Sequence, residues 1–161
     1  MNKKYGIAGL ILIVVLATVM ISGCIGSNDN TNDKFTKTAT FQGTTFYLPD
    51  GFESVEKSTT GTSVYELYSD GKDAIGLFYY PLLSSKSEGL SNMKSNPNYA
   101  NIDESVSYGG YSGYSANFTD SDGEVAKIFI FEKDGKVLAI TMSNGLNFNE
   151  YLPKILDKNP I

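Results

Sequence analysis

The chain has 161 residues and a formal net charge of −5, and all 13 of its basic residues are lysines; His, Arg and Trp are absent. Without His it lacks the usual general base near neutral pH and the commonest transition-metal ligand. Without Arg it lacks the bidentate clamp for carboxylate or phosphate. An acidic exterior argues against nucleic acid as a partner, because phosphate backbones are held by clustered positive charge.

The first element is an apolar leader. Lys3 and Lys4 precede a stretch with no charge through residue 28, and its densest apolar part runs from Leu10 to Met20. Ile21-Ser22-Gly23-Cys24 follows, with small residues in front of the only cysteine. A basic start, an apolar core and small residues before the cut define a secretory leader. The tetrapeptide resembles a lipobox. That resemblance implies cleavage between Gly23 and Cys24 and a diacylglyceryl group on the Cys24 thiol. Two acyl chains satisfy the two-signal requirement for stable anchoring. The alternative is an uncleaved membrane helix, since about 20 apolar residues suffice to span a bilayer. Lys3 and Lys4 put the N-terminus inside under the positive-inside rule, so the remaining chain lies outside in both cases. The expected location is the outer face of the cytoplasmic membrane, lipid-anchored or as a single-pass protein. With Cys24 lipidated, no thiol is left for a disulfide, a metal or a nucleophile.

Three segments follow from this: a signal peptide at 1–23, a lipidated Cys and polar tether at 24–34, and a globular domain at 35–161. The tether, with Ser27-Asn28-Asp29-Asn30-Thr31-Asn32-Asp33-Lys34, has nothing to bury. Lys3 and Lys4 are the only charges in the leader, so its removal makes the net charge more negative by two.

In the globular part, residues 38–41 and 45–48 predict a hairpin across Gln42-Gly43-Thr44. Asp50-Gly51, Asp70-Gly71, Asp122-Gly123 and Asp134-Gly135 punctuate the remainder, and Asp-Gly between apolar runs is a hairpin signal. Strands are predicted at 64–68, 74–80, 114–119, 125–131 and 137–142. In the runs at 75–80, 128–131 and 137–140 consecutive residues are apolar, so both faces of the sheet need cover. Two helices are available for it. One spans 84–96, with Leu90 and Met93 as its apolar content. The other spans 147–158, where Phe148, Tyr151, Leu152, Ile155 and Leu156 form one stripe. Asn147 and Glu150 have capping-box spacing, and Pro153 either kinks this helix or starts its regular part. The expected fold is α+β: an antiparallel sheet of about six to eight strands built from hairpins, with helices on both faces in an α/β/α sandwich.

Several motifs resemble PsbP-like domains of the Mog1/PsbP fold. Phe46-Tyr47-Leu48-Pro49-Asp50-Gly51-Phe52 is similar to the opening strand and Pro-x-Gly-aromatic motif. Gly110-Tyr111-Ser112-Gly113-Tyr114 is similar to the Gly-led strand before the last hairpins. Residues 134–141 resemble the final strand and residues 148–156 the closing helix. With its leader, the chain resembles small lipoproteins of methanogenic archaea. The resemblance spans roughly 41–158 and implies the same sandwich and a non-catalytic assembly or binding role. It transfers no functional residue, and the absence of Arg and Trp departs from the family pattern.

Candidate ligand residues are few. Tyr108, Tyr111 and Tyr114, interleaved with glycines, offer an aromatic platform, although cross-strand packing with close backbone approach is the favoured reading of the stretch. Asn117-Phe118-Thr119 is a glycosylation sequon. Asp120-Ser121-Asp122-Gly123-Glu124 gathers carboxylates but is too short for a calcium loop and reads as a solvated turn. Lys72 and Lys86 read as solvated lysines. The sequence thus points to a membrane-anchored, non-enzymatic binding or assembly domain with no cofactor or metal and an unidentified protein or small-ligand partner. An extracytoplasmic hydrolase using Asp, Glu, Ser or Tyr is the alternative.

Overall fold

A computed structural model describes residues 34–157. The leader, Gly23, Cys24 and nearly all of the tether lie outside these residues. Nine strands and two helices follow in order: β1 (Lys37–Phe41), β2 (Thr44–Leu48), β3 (Glu53–Thr59), β4 (Val64–Ser69), β5 (Ala74–Tyr79), α1 (Lys86–Ser95), β6 (Tyr99–Tyr108), β7 (Tyr111–Thr119), β8 (Val125–Lys133), β9 (Lys136–Ser143) and α2 (Phe148–Leu156).

Seven strands form one sheet in the order β3-β4-β5-β9-β8-β7-β6, and every neighbouring pair is antiparallel. Two meanders, β3-β4-β5 and β6-β7-β8-β9, therefore meet edge to edge at β5 and β9. The chain must travel from the middle of the sheet at β5 to its far edge at β6, and α1 is on that path.

Turn chemistry fixes the register. At Asp134-Gly135 both φ values are positive, 51° and 71°, and Lys133 pairs with Lys136 across a two-residue turn. Only Gly, Asn or Asp tolerates that geometry readily. Gln42 and Gly43 turn the β1–β2 hairpin in the same way, at 53° and 83°.

The central strands are apolar on both faces, and each face carries its own core. Ile75, Leu77, Phe129, Phe131, Leu138, Ile140 and Met142 point to one side, where they meet Phe41, Phe46 and Leu48 of the β1–β2 hairpin and the whole stripe of α2. Tyr65, Leu67, Phe78, Tyr80, Tyr114, Phe118, Ile128, Ile130 and Ala139 point to the other side, with Leu83 and Met93.

The expected α/β/α sandwich is not what forms. The fold is mostly β, with 52% of the described residues in strands against 15% in helices. Two-faced strands demand cover, but cover need not be helical. On the first face the separate two-stranded sheet β1–β2 shares the work with α2. On the second, α1 buries only Gly89 and Met93 of its own residues. Aromatic side chains fill much of that core, including the stacked rings of Tyr65, Phe78 and Tyr80. One short helix on each side does not make the helical layers of such a sandwich.

The helices differ in detail from the sequence reading. Ser85 caps α1, its hydroxyl accepting the Glu88 amide at 3.3 Å. Asn147 makes no side-chain cap to the α2 backbone; its amide reaches only the Glu150 carboxylate, at 3.5 Å. The α2 helix runs unbroken through Pro153, because Leu152, Ile155 and Leu156 on either side are buried and hold it to the sheet.

Candidate functional site

The structure separates the three tyrosines of the proposed platform. Successive residues of a strand face opposite sides. Tyr111 therefore lies on the α2 face of β7, and Tyr114 lies on the α1 face. Tyr114 is only 3% exposed, and its hydroxyl donates to the Lys86 carbonyl in the first turn of α1. It is a clasp between strand and helix. Burial pushes its phenol above the ordinary range.

Tyr108 and Tyr111 stay together. They face each other across Gly109-Gly110, whose φ values of 54° and 80° make the two-residue turn between β6 and β7. A Cβ at Gly109 would sit 2.6 Å from the Leu156 Cβ, so this turn packs closely against the end of α2.

Around them a half-exposed strip assembles on the α2 face. The Tyr108 ring stands edge-on to Phe129 at 5.2 Å and to Phe148 at 5.9 Å, and its hydroxyl donates to Asn149 Oδ1 at 3.0 Å. Partial burial, and after it the Asp103 charge, raises the Tyr108 pKa, so the hydroxyl stays a neutral donor at physiological pH. The Lys133 ammonium lies 5.9 Å from the Tyr111 ring centroid, and Lys127 lies 5.9 Å from that of Phe148. Asn117 shares Tyr111's face by strand parity and is paired in register with Lys127. The strip thus offers two phenol rings, two ammonium groups and two amides. Such a set can stack and hydrogen-bond, and a cation beside an aromatic ring adds about 0.5–1 kcal/mol at exposed sites. Nothing in it activates a nucleophile.

Asn117 of the sequon is half-buried and paired on both sides, with Ala100 of β6 and Lys127 of β8. The acidic turn is a self-contained hydrogen-bonding unit in which Asp120 Oδ1 accepts the amides of Asp122 and Glu124, each at 2.9 Å. Lys86 Nζ donates to the Ser112 carbonyl at 3.1 Å, and Lys72 lies 4.0 Å from the Asp73 carboxylate. Among the described residues no group of three His, Cys, Asp or Glu side chains could hold a metal. None of the described helices is long and apolar enough to cross a membrane.

Sequence reasoning missed Phe148, Asn149, Lys127 and Lys133 as neighbours of the tyrosines. Strand parity was the signal that could have separated Tyr111 from Tyr114, which the sequence reading grouped together. The docking of α2 beside β6 and β8 carries no local signal. It also missed a part-buried polar contact at the end of the sheet. Ser143 Oγ donates to Asp73 Oδ1 at 2.8 Å and accepts the Ala74 amide at 3.1 Å. With both contacts made, this hydroxyl ties the β4–β5 turn to β9.

No protein-family model matches the chain, and no curated protein is significantly similar to it. Nothing in these comparisons identifies a PsbP-like domain.

Proposed function

We propose that this chain is an extracytoplasmic lipoprotein whose domain binds or assembles with a partner and carries no catalytic activity. The observation that carries the reading is Cys24, set directly behind an uncharged apolar stretch and small residues. The composition supports the second half: Asp, Glu, Lys, Ser and Tyr would have to do all catalytic work without His, Arg or a second Cys. The strip of Tyr108, Tyr111, Lys127, Lys133 and Asn149, backed by the buried Phe148, is the contact surface this reading favours. It combines rigid aromatic area with adaptable polar groups, the composition of recognition surfaces generally.

Expression of the full chain and of Cys24→Ala in a lipidating host, followed by membrane fractionation and intact mass, tests the anchor. The wild type should reach the membrane without its leader and with the added mass of a diacylglyceryl group. Cys24→Ala should be released, or remain as the unprocessed precursor. Retention of both proteins at full precursor mass would replace the lipid with an uncleaved helix and sink the lipoprotein reading.

A further inference from the structure

We propose that the hydroxyls of Tyr80 and Tyr99 line an internal polar site under α1 that holds a neutral hydrogen-bonding guest of water size. Both hydroxyl oxygens are buried and find no hydrogen-bond partner among the described residues. Their residues are 2% and 8% exposed, so bulk water does not satisfy them. Buried polar groups in native proteins are nearly always paired, and each exception demands an explanation. One orphan could be a local misfit. Two in one core, both phenols able to donate and accept, point to a shared cause.

The surroundings define the guest. Tyr80 directly follows β5 and Tyr99 opens β6, and both belong to the core beneath α1 with Phe78, Leu83, Met93, Phe118 and Tyr114. The side chains that build this core are apolar or aromatic, so an ion among them would lie uncompensated, which is prohibitively costly. The guest is therefore neutral. The tight aromatic packing of the same core, with Tyr99 and Phe118 centroids 5.0 Å apart, restricts it to very few heavy atoms. Tyr114 cannot serve as the missing partner through its proton, because that proton is given to the Lys86 carbonyl. The phenols of Tyr99 and Tyr114 lie close enough to Tyr80 that charge on either would oppose its ionisation, in addition to the dominant effect of burial. The three hydroxyls thus share one neighbourhood. The α1 helix closes it with little apolar surface of its own, chiefly Met93, with Leu90 partly buried.

The experiment uses the full-length chain in mild detergent, with Tyr80→Phe, Tyr99→Phe and the double variant. Phe keeps the ring and removes only the oxygen. If a guest bridges to these hydroxyls, each single change should lower the folded-to-unfolded ratio about fivefold. The double variant should then lose less than the product of the two, because the second change removes a hydroxyl whose guest is already unsettled. If the hydroxyls are true orphans, Phe relieves a desolvation cost, and the ratio stays level or rises; that result overturns the proposal. Water is the probe for the guest itself. Magnetisation transfer from water to the ring protons of Tyr80 and Tyr99, lost in the double variant, is expected. Its absence in the wild type overturns the site independently of the stability data.

Discussion

Gly113→Ala should be among the most damaging single-methyl additions to this domain. Gly113 lies in β7, paired with Phe131 of β8 on one side and Val106 of β6 on the other. A Cβ there would collide with the Ile130 carbonyl oxygen and lie 2.8 Å from Phe129 Cε2. The ring could swing aside, but the carbonyl is backbone and is fixed by the ladder. Relief requires β7 and β8 to separate locally. Overpacking costs typically 1–3 kcal/mol, and each weakened ladder hydrogen bond adds about 1 kcal/mol. The expected loss is about 3 kcal/mol, which for a domain of roughly this size lowers the melting temperature by about 10 °C. Gly123→Ala is the control. It has a φ of +85° but open space around it, so it pays only the left-handed backbone penalty of about 1 kcal/mol. Thermal unfolding followed by far-UV circular dichroism compares the two. If Gly113→Ala melts no lower than Gly123→Ala, the close approach of β7 to the Ile130 carbonyl is wrong.

Tyr114→Phe removes the hydroxyl that holds the first turn of α1, which should cost about 1 kcal/mol; amide exchange should quicken in residues 86–90 and stay unchanged in β8 and β9. Alkaline titration should show delayed, cooperative ionisation of tyrosines. Burial raises the phenol pKa of Tyr68, Tyr80, Tyr99 and Tyr114 above the ordinary 10.0, assisted at Tyr68 by its bond to Glu66. The unfolded chain loses these protons near pH 10 and the folded chain keeps them, so their stabilisation is complete below that pH and disappears as pH rises beyond it. Tyrosinate absorbance should therefore climb together with the loss of circular dichroism; smooth titration with the fold intact would contradict the burial of these phenols.

What the sequence made legible follows the apolar pattern. The strands β5, β8 and β9 announced themselves because residues such as Ile128, Phe129, Ile130 and Phe131 leave no polar face. The stripe of α2 was equally plain. The edge strands β3 and β6 were not read at all, for a physical reason. Glu53-Ser54-Val55-Glu56-Lys57-Ser58-Thr59 buries almost nothing, and its register slips between Ser54 and Glu56. In β6, Asn101 has a φ of +53° and the register slips twice, with Asp103 and Glu104 facing solvent. Charges and bulges are how proteins keep exposed edges from recruiting other strands. The features that protect these edges also erase the alternation by which a strand is recognised. The layer error has a related origin. Two-faced strands imply cover on both sides, but no local pattern says whether a helix or a hairpin supplies it.

Topology then accounts for the unequal strength of the two faces. The α2 face is covered by elements drawn from the beginning and end of the described chain, and it is reinforced by long-range ties such as Lys136 Nζ to the Gln42 carbonyl at 2.8 Å. The α1 face is covered by a crossover whose first obligation is to carry the chain from β5 to β6. That connector is held largely by polar contacts at its ends: Tyr114 to the Lys86 carbonyl, Lys86 to Ser112, and Lys94 to Glu104 at 2.5 Å. Exposed ion pairs contribute little, at most about 1 kcal/mol. The buried apolar anchor of α1 is mainly Met93, with Leu83 just before the helix. Local opening follows the scarcity of buried apolar contacts. The α1 segment should therefore open before either meander does, and the first core exposed to solvent is the one that contains Tyr80 and Tyr99.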